Sequence, residues 1–130
     1  MNKQVIVIRK DLKMRRGKEV AQGAHASMKV IFDNNWYYDL KSKSLTIENV
    51  NEDIITWLNG IFTKICVTVN SEQELIDIYN EAKENDIPCS IIQDNGLTEF
   101  HNVPTYTCCA IGPYDSEKLD LITGHLPLYW

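Results

Sequence analysis

The chain has 130 residues, of which 44% are hydrophobic and 24% are charged, a composition typical of one soluble globular domain. No apolar run approaches the roughly 20 residues that a transmembrane helix needs, which excludes an integral membrane protein. The net charge of −5 argues weakly against a nucleic-acid partner when it is taken as a single number.

The charge is distributed very unevenly along the chain. Residues 1–30 contain eight Lys or Arg and two acidic residues, a balance of +6, whereas the remaining hundred residues carry −11. A chain with this uneven charge distribution can present one basic face to a polyanion and remain acidic elsewhere. The alternative is that the basic stretch is a solvated loop without a partner.

Targeting and redox signals are weak. The apolar run at residues 5–8 is too short for the hydrophobic region of a signal peptide, so we expect a cytoplasmic protein. The four cysteines show no C-x-x-C spacing, and we expect them to be reduced and mostly buried.

The first elements in chain order are a strand and a helix. The continuous apolar run at residues 5–8 predicts a strand that is covered on both faces. From residue 17 the pattern becomes helical, and one apolar stripe is expected to face the sheet: Val20, Ala24, Ser27, Met28 and Ile31. A polar stripe lies roughly opposite and is typical of a solvated face: Lys18, Gln22, His25 and Lys29.

The remaining elements complete an alternating pattern. Residues 33–60 are polar and aromatic without a clear period until a short capped helix at 51–60, and we interpret them as an excursion within the domain. A strand within 61–69 precedes a helix that Ser71 and Glu74 cap, and strands at 89–93 and 106–112 precede a last short helix. This order predicts an α/β layered sheet whose last two strands are antiparallel.

Common catalytic motifs are absent from the sequence. It contains no H-E-x-x-H, Walker A, G-x-G-x-x-G or G-x-S-x-G motif, and its three histidines lack the spacing of a metal site. The polar loop after the strand at 89–93 is a candidate ligand site, because Gly96 permits a tight turn that brings Thr98 towards the Asp94 carboxylate. A plain Asx turn explains the same residues. Gly17 at the start of the first helix is a second candidate, since a helix N-terminus favours an anion.

Five separated segments together resemble one known family. They are KQVIVIRKDLKMRRGKEVAQGAHAS, SEQELIDIYNEA, IIQDNGLTEF, TCCAIGP and DLITGHLPLY. In this order they are similar to the peptidyl-tRNA hydrolases of the second type, the archaeal and eukaryotic family, over nearly the whole chain outside residues 33–60.

The resemblance implies a fold, an activity and an assembly. The implied fold is α/β, a mixed four-stranded sheet with helices on both faces, in a single domain of residues 1–130 with a family-atypical excursion at about 33–60. The implied activity is hydrolysis of the ester that joins a peptide to the 3′ end of tRNA, by a homodimer that uses no metal and no cofactor. The basic opening stretch would then hold tRNA phosphates.

The family's active-site positions can be carried over onto matching residues of this sequence. They fall on Lys18, Gln22, Asp94, Thr98 and Thr107, with His25 and Ser27 in the same motif as possible auxiliaries. Asp94 would act as the base or orient the water, and Lys18 would keep Asp94 ionised or donate to the oxyanion or a phosphate. The expected tRNA contacts are Lys10, Lys13, Arg15 and Arg16.

Some alternatives stay open at this point. A non-catalytic tRNA-binding or adaptor protein on the same fold would keep the basic face without turnover, and a regulatory interaction module is a third reading. The aromatic residues Trp36, Tyr37, Tyr38 and Trp57 form either a packed elaboration or a base-stacking platform.

Overall fold

Six strands and four helices make up the part of the chain that this computed structural model describes, residues 1–96 and 100–130. In chain order they are β1 (Asn2–Arg9), α1 (Arg16–Phe32), β2 (Trp36–Asp39), β3 (Ser44–Ile47), α2 (Glu52–Asn59), β4 (Lys64–Val69), α3 (Glu72–Glu84), β5 (Cys89–Asp94), β6 (Thr105–Asp115) and α4 (Ser116–Thr123). None of the helices in these ranges is long and apolar enough to cross a membrane.

The main sheet has four strands in the order β4-β1-β6-β5. β1 is parallel to β4 and antiparallel to β6, and β6 is antiparallel to β5. The predicted mixed sheet and its antiparallel last pair are therefore confirmed. β1 and β6 are central, which explains why their sequences are almost continuously apolar.

Both faces of the sheet are covered, as predicted. Alternate residues of β1 point to opposite faces, so Val5 and Val7 enter a core against α3 and α4 while Ile8 enters a second core with Ala26 of α1 and Ile54 of α2. The adjacent cysteines of β6 likewise face different cores, and all four cysteines are free thiols. Burial raises the pKa of the Cys108 thiol to about 12, so this thiol stays protonated.

The predicted helix caps are present. The Ser71 hydroxyl accepts a hydrogen bond of 3.1 Å from the backbone N–H of Glu74, and the Asn51 side chain accepts one of 2.7 Å from the N–H of Asp53. Each cap satisfies an N–H group that the first helical turn leaves without an intrahelical partner.

The predicted orientation of α1 is wrong. Val20 and Met28 of the apolar stripe are 69% and 59% exposed, and the buried residues are Gln22, Gly23, Ala26 and Val30. The helix packs on the sheet through small residues, Gly23 and Ala26, and a Cβ at Gly23 would meet a methyl carbon of Ile6 at 3.5 Å, an ordinary contact distance. Close packing of backbone on sheet therefore outweighs the burial of the larger apolar side chains.

Residues 33–60 contain a β-hairpin that the sequence pattern did not reveal. β2 and β3 form a separate two-stranded sheet, and every residue of β2 is exposed. The packed interpretation is right for Trp57, which is buried and donates its indole N–H to the Thr63 carbonyl oxygen at 2.8 Å. Trp36, Tyr37 and Tyr38 are 48%, 53% and 63% exposed, and the Trp36 ring packs edge-on against Phe32 with ring centres 5.8 Å apart.

Candidate active site

The candidate site lies where β5 ends and α1 begins. Asp94 is the last residue of β5, an outer strand of the sheet, and Lys18 and Gln22 lie in the first half of α1. Because α1 packs across β5 and β6, the side chains of its inner face meet the carboxyl end of β5. Polar groups at this edge of an open α/β sheet are where ligand sites are generally found.

A lysine–carboxylate ion pair forms the centre of the site. Lys18 Nζ lies 2.6 Å from Asp94 Oδ2, and the two side chains are only 16% and 10% exposed. The ammonium lies 5.8 Å from the ring centre of Phe100, which borders the pair. A close, partly desolvated pair of this kind has a stronger mutual attraction than a pair on the surface.

The Asp94 carboxylate is held in its charged form. The hydrogen bond from Lys18 is the largest influence and lowers the Asp94 pKa below the ordinary 3.8, and the Gly96 N–H and the positive charges of Lys18 and His25 act in the same direction. Burial opposes them without reversing the shift. Asp94 is therefore an ionised hydrogen-bond acceptor at neutral pH.

The predicted Asx turn is present and forms part of the site. The backbone N–H of Gly96 donates to Asp94 Oδ1 at 2.7 Å. Gly96 has φ +83°, and a Cβ there would collide with the Val103 carbonyl oxygen, so only glycine fits this turn. Thr98, which was predicted to approach the same carboxylate, lies outside the described residues.

Thr107 reaches Asp94 indirectly, through Gln22. The buried Thr107 hydroxyl donates to Gln22 Oε1 at 2.5 Å, and Gln22 Nε2 donates to Asp94 Oδ2 at 3.3 Å. Since the Gln22 side-chain oxygen is occupied by Thr107, its amino group is turned towards the carboxylate. The polar stripe interpreted as solvated thus includes two residues, Lys18 and Gln22, that face the site.

Neither of the two possible auxiliaries belongs to this hydrogen-bonded cluster. His25 lies on the exposed side of α1. Ser27 donates its hydroxyl to Oε1 of the buried Gln4 at 2.5 Å, a contact that ties α1 to β1. Among the contacts of the described residues, neither side chain bonds to Lys18, Gln22 or Asp94.

The four expected tRNA-binding residues are exposed near the same end of the sheet. Lys10, Lys13 and Arg15 lie in the loop from β1 to α1, and Arg16 is the first residue of α1. The basic stretch therefore borders the Lys18–Asp94 pair.

Arg9 belongs to this architecture, although in the sequence it stood out only as a positive charge. Its guanidinium is almost buried, pairs with the Asp11 carboxylate at 2.7 Å and donates to the Tyr106 carbonyl oxygen at 3.0 Å. These bonds tie the basic loop to β6 directly beside Thr107. The signal that could have revealed it is the R-x-D spacing at the end of a buried strand.

The side chains of the described ranges offer no cluster suited to metal binding. Within residues 1–96 and 100–130, no three His, Cys, Asp or Glu side chains are grouped so as to hold a metal ion.

This fold and site define an α/β protein whose ionised carboxylate, ammonium and oriented amide suit attack of water on a carbonyl group.

The sequence matches the family described as "Peptidyl-tRNA hydrolase PTH2" over residues 2–129. A protein named peptidyl-tRNA hydrolase from Methanocaldococcus jannaschii is 47% identical over 126 residues, 97% of this chain and 98% of its own length. One of the same name from Methanopyrus kandleri is 37% identical over 98% of both chains. A probable peptidyl-tRNA hydrolase 2 from Dictyostelium discoideum is 35% identical over 98% of this chain and 54% of its own. The chain belongs to the peptidyl-tRNA hydrolase PTH2 family.

Proposed function

We propose that residues 1–130 act as one domain that hydrolyses the ester bond of peptidyl-tRNA in the cytoplasm, releasing the peptide and free tRNA. The observation that supports this most directly is the 2.6 Å pair between Lys18 and Asp94, with the Gln22 amide bonded to the same carboxylate oxygen. The family membership of the chain supplies the substrate.

Asp94 orients the attacking water. A carboxylate whose pKa is lowered by its neighbours is a weak proton acceptor, so it is better suited to hold a water molecule than to abstract its proton fully. A carboxylate accepts about four hydrogen bonds, and three are accounted for by Lys18, Gln22 and Gly96. The remaining acceptor position can hold the water, and Thr98 is proposed to help orient it.

Lys18 stabilises the negative charge that develops on the carbonyl oxygen. Its ammonium lies beside the carboxylate that holds the water, so positive charge stands next to the carbon under attack. The water oxygen bonds to the carbonyl carbon, the bond from that carbon to the ribose oxygen breaks, and the proton passes to the ribose oxygen. An aminoacyl ester is already activated, so positioning of this kind is sufficient.

Gln22 and Thr107 keep the carboxylate in place. The Thr107 hydroxyl fixes the Gln22 amide, and the amide fixes the Asp94 oxygen that also meets Lys18. Thr107 is fully buried, so its proposed role is positioning rather than contact with the ester.

The basic loop holds the tRNA. Lys10, Lys13, Arg15 and Arg16 are exposed around the candidate site, where phosphates of the acceptor end would lie when the ester reaches Asp94.

The protein acts as a homodimer. The exposed apolar side chains on the outer side of α1, such as Val20 and Met28, support association of two copies.

The experiment that tests this function is release of N-acetyl-aminoacyl groups from tRNA by the purified protein in the presence of EDTA. We expect turnover by the wild type and a loss of at least about 100-fold for Asp94→Asn and for Lys18→Ala. Salt-dependent tRNA binding without release would instead favour the adaptor function. Release that EDTA abolishes would contradict a metal-independent reaction.

A further inference from the structure

Within the described residues, α1 begins without a side-chain cap. Its N-cap residue is Arg15, whose guanidinium has only donors and cannot accept a hydrogen bond from the N–H groups of the first turn. Helices α2 and α3 begin at Asn51 and Ser71, whose side chains do accept such a bond. The first turn of α1, which carries Lys18, is therefore held in place by its contacts with other elements.

Tyr129 makes one of these contacts, with Glu19. Its phenol oxygen lies 2.8 Å from both Oε1 and Oε2 of Glu19 and donates its single proton between them. This hydrogen bond is the main reason why the pKa of the Tyr129 phenol is raised, so the phenol remains a donor at neutral pH. The backbone N–H of Glu19 donates to the Arg15 carbonyl oxygen at 3.0 Å and closes the first turn of α1. A bond to the Glu19 side chain therefore holds that turn directly.

The segment that carries Tyr129 is itself fixed to the main sheet. After α4 the chain runs along β4, where Leu128 forms an antiparallel bridge with that strand. The Thr68 N–H donates to the Pro127 carbonyl oxygen, and the Tyr129 N–H donates to the Cys66 carbonyl oxygen, each at 3.0 Å. The Tyr129 ring packs against the core that lies between α1 and the sheet. The phenol is therefore anchored to the sheet and is not a freely moving side chain.

The first turn of α1 is anchored to both edges of the main sheet. Lys18 bonds to Asp94 at the end of β5, and the next residue, Glu19, bonds to the segment that runs along β4. Consecutive side chains of a helix point about 100° apart, so the two contacts hold the turn from different sides. β4 and β5 are the two outer strands, three strand spacings or about 14 Å apart. Loss of the contact on the β4 side would leave the turn free to shift relative to Asp94.

We propose that Tyr129 is a positioning residue for the hydrolysis of the ester, because its bond to Glu19 keeps the first turn of α1 where Lys18 Nζ meets Asp94. This inference rests on the proposed function and adds a residue that acts on the ion pair through Glu19. A displacement of about 1 Å in a reacting group can lower a rate by about 100-fold, so a small shift of the turn is sufficient to matter.

Tyr129→Phe tests the proposal, because it keeps the ring and removes only the hydroxyl. We expect kcat to fall about 5- to 30-fold while KM stays within about twofold of the wild-type value. The Asp94 pKa, followed by the carboxyl ¹³C shift in the absence of substrate, should rise in the same direction as in Lys18→Ala. Tyr79→Phe is the matched control, since it removes a phenol hydroxyl from a half-buried tyrosine of α3 on the opposite face of the sheet. It should change neither kcat nor the Asp94 pKa.

Variants of Glu19 test the same contact from the other side. Glu19→Ala removes the acceptor of the phenol and should reproduce the loss in kcat of Tyr129→Phe. Glu19→Gln keeps an acceptor oxygen and should retain more of the rate than Glu19→Ala. The double variant Tyr129→Phe, Glu19→Ala should lose no more than the more damaged single variant, because both changes remove one interaction. Losses that multiply in the double variant would contradict the proposed coupling.

The outcomes separate this inference from the proposed function. An Asp94 pKa that is unchanged in Tyr129→Phe would overturn the inference, whether or not the rate or the stability falls, because the phenol would then not act on the ion pair. A higher KM at constant kcat would overturn it in favour of a direct contact between Tyr129 and tRNA. Since the Asp94 pKa is measured without substrate, a wild type that releases no peptide but shows the expected pKa change contradicts only the proposed function.

Discussion

Lys18 and Asp94 are 76 positions apart in the sequence, yet Lys18 Nζ and Asp94 Oδ2 lie 2.6 Å from each other. The pair exists only when the first turns of α1 pack against the end of β5. Folding therefore creates both the charge state of Asp94 and its position, and each can be measured separately.

Removing the ammonium should raise the pKa of Asp94. Because Lys18 is the main cause of the lowered value, Lys18→Ala should return the Asp94 pKa towards or above 3.8, as followed by the carboxyl ¹³C shift during NMR titration. The stabilisation from a lowered carboxyl pKa is present above the unfolded value and is lost as the pH falls through the folded value. The difference in stability between wild type and variant should accordingly narrow below about pH 4. Lys118→Ala, on α4, is the control, and an Asp94 pKa that does not respond to Lys18→Ala would contradict the geometry.

Thr107 should influence the rate without influencing binding. Thr107→Val keeps the shape but removes the hydroxyl that fixes the Gln22 amide, so we expect kcat to fall roughly 10- to 100-fold with little change in KM. Leaving the buried Gln22 oxygen without this donor should also cost about 1–3 kcal/mol of stability. Thr107→Ser restores the hydroxyl and should recover most of the rate. Equal losses in Val and Ser variants would show that packing, rather than the hydrogen bond, is what matters.

His25 should be dispensable as a base. It is exposed on α1, and its charge is the smallest of the influences that lower the pKa of Asp94. His25→Asn should retain kcat within about threefold. Histidine side chains generally change charge between pH 5 and 8. A change of kcat with pH in that range that is present in the wild type and absent from His25→Asn would contradict this expectation.

Ser27 should contribute to stability rather than to chemistry. Its hydroxyl donates to Oε1 of Gln4, which is fully buried, and Ser27→Ala removes that donor. We expect a loss of about 1–3 kcal/mol in the free energy of unfolding, measured by urea denaturation, with kcat unchanged. A fall in kcat without a fall in stability would restore Ser27 as an auxiliary of the reaction.

The basic loop should act through phosphates. Lys10→Gln or Lys13→Gln should raise KM and leave kcat nearly constant. Each variant should also reduce the slope of log affinity against log salt concentration by about one unit for each phosphate that is no longer neutralised. Lys118→Gln, which removes a lysine from the other side of the sheet, should change none of these quantities. A loop variant that lowers kcat at saturating tRNA would instead place the residue in the reaction.

The local sequence was sufficient to predict most helices and strands of the main sheet and part of the candidate site. The apolar run of β1, the caps at Ser71 and Asn51 and the turn at Gly96 follow from interactions among neighbouring residues, and each is present in the structure. The resemblance of separated motifs pointed to Lys18, Gln22 and Asp94, which the fold does bring together. The sequence could not show which hydrogen bonds join these three side chains.

Tertiary packing decided which side of α1 faces inward and what the excursion at 33–60 becomes. The helix carries a stripe of large apolar residues and a stripe of small ones, and periodicity alone favours burial of the large ones. The sheet accepts the stripe of small residues, which includes the buried Gly23 and Ala26, and the hydrogen bond from Thr107 compensates for burying Gln22. Val20 and Met28 are left exposed as a consequence. A sequence determines which side chains are apolar, whereas their burial depends on the shape of what they meet, and that shape exists only after the distant strands have assembled.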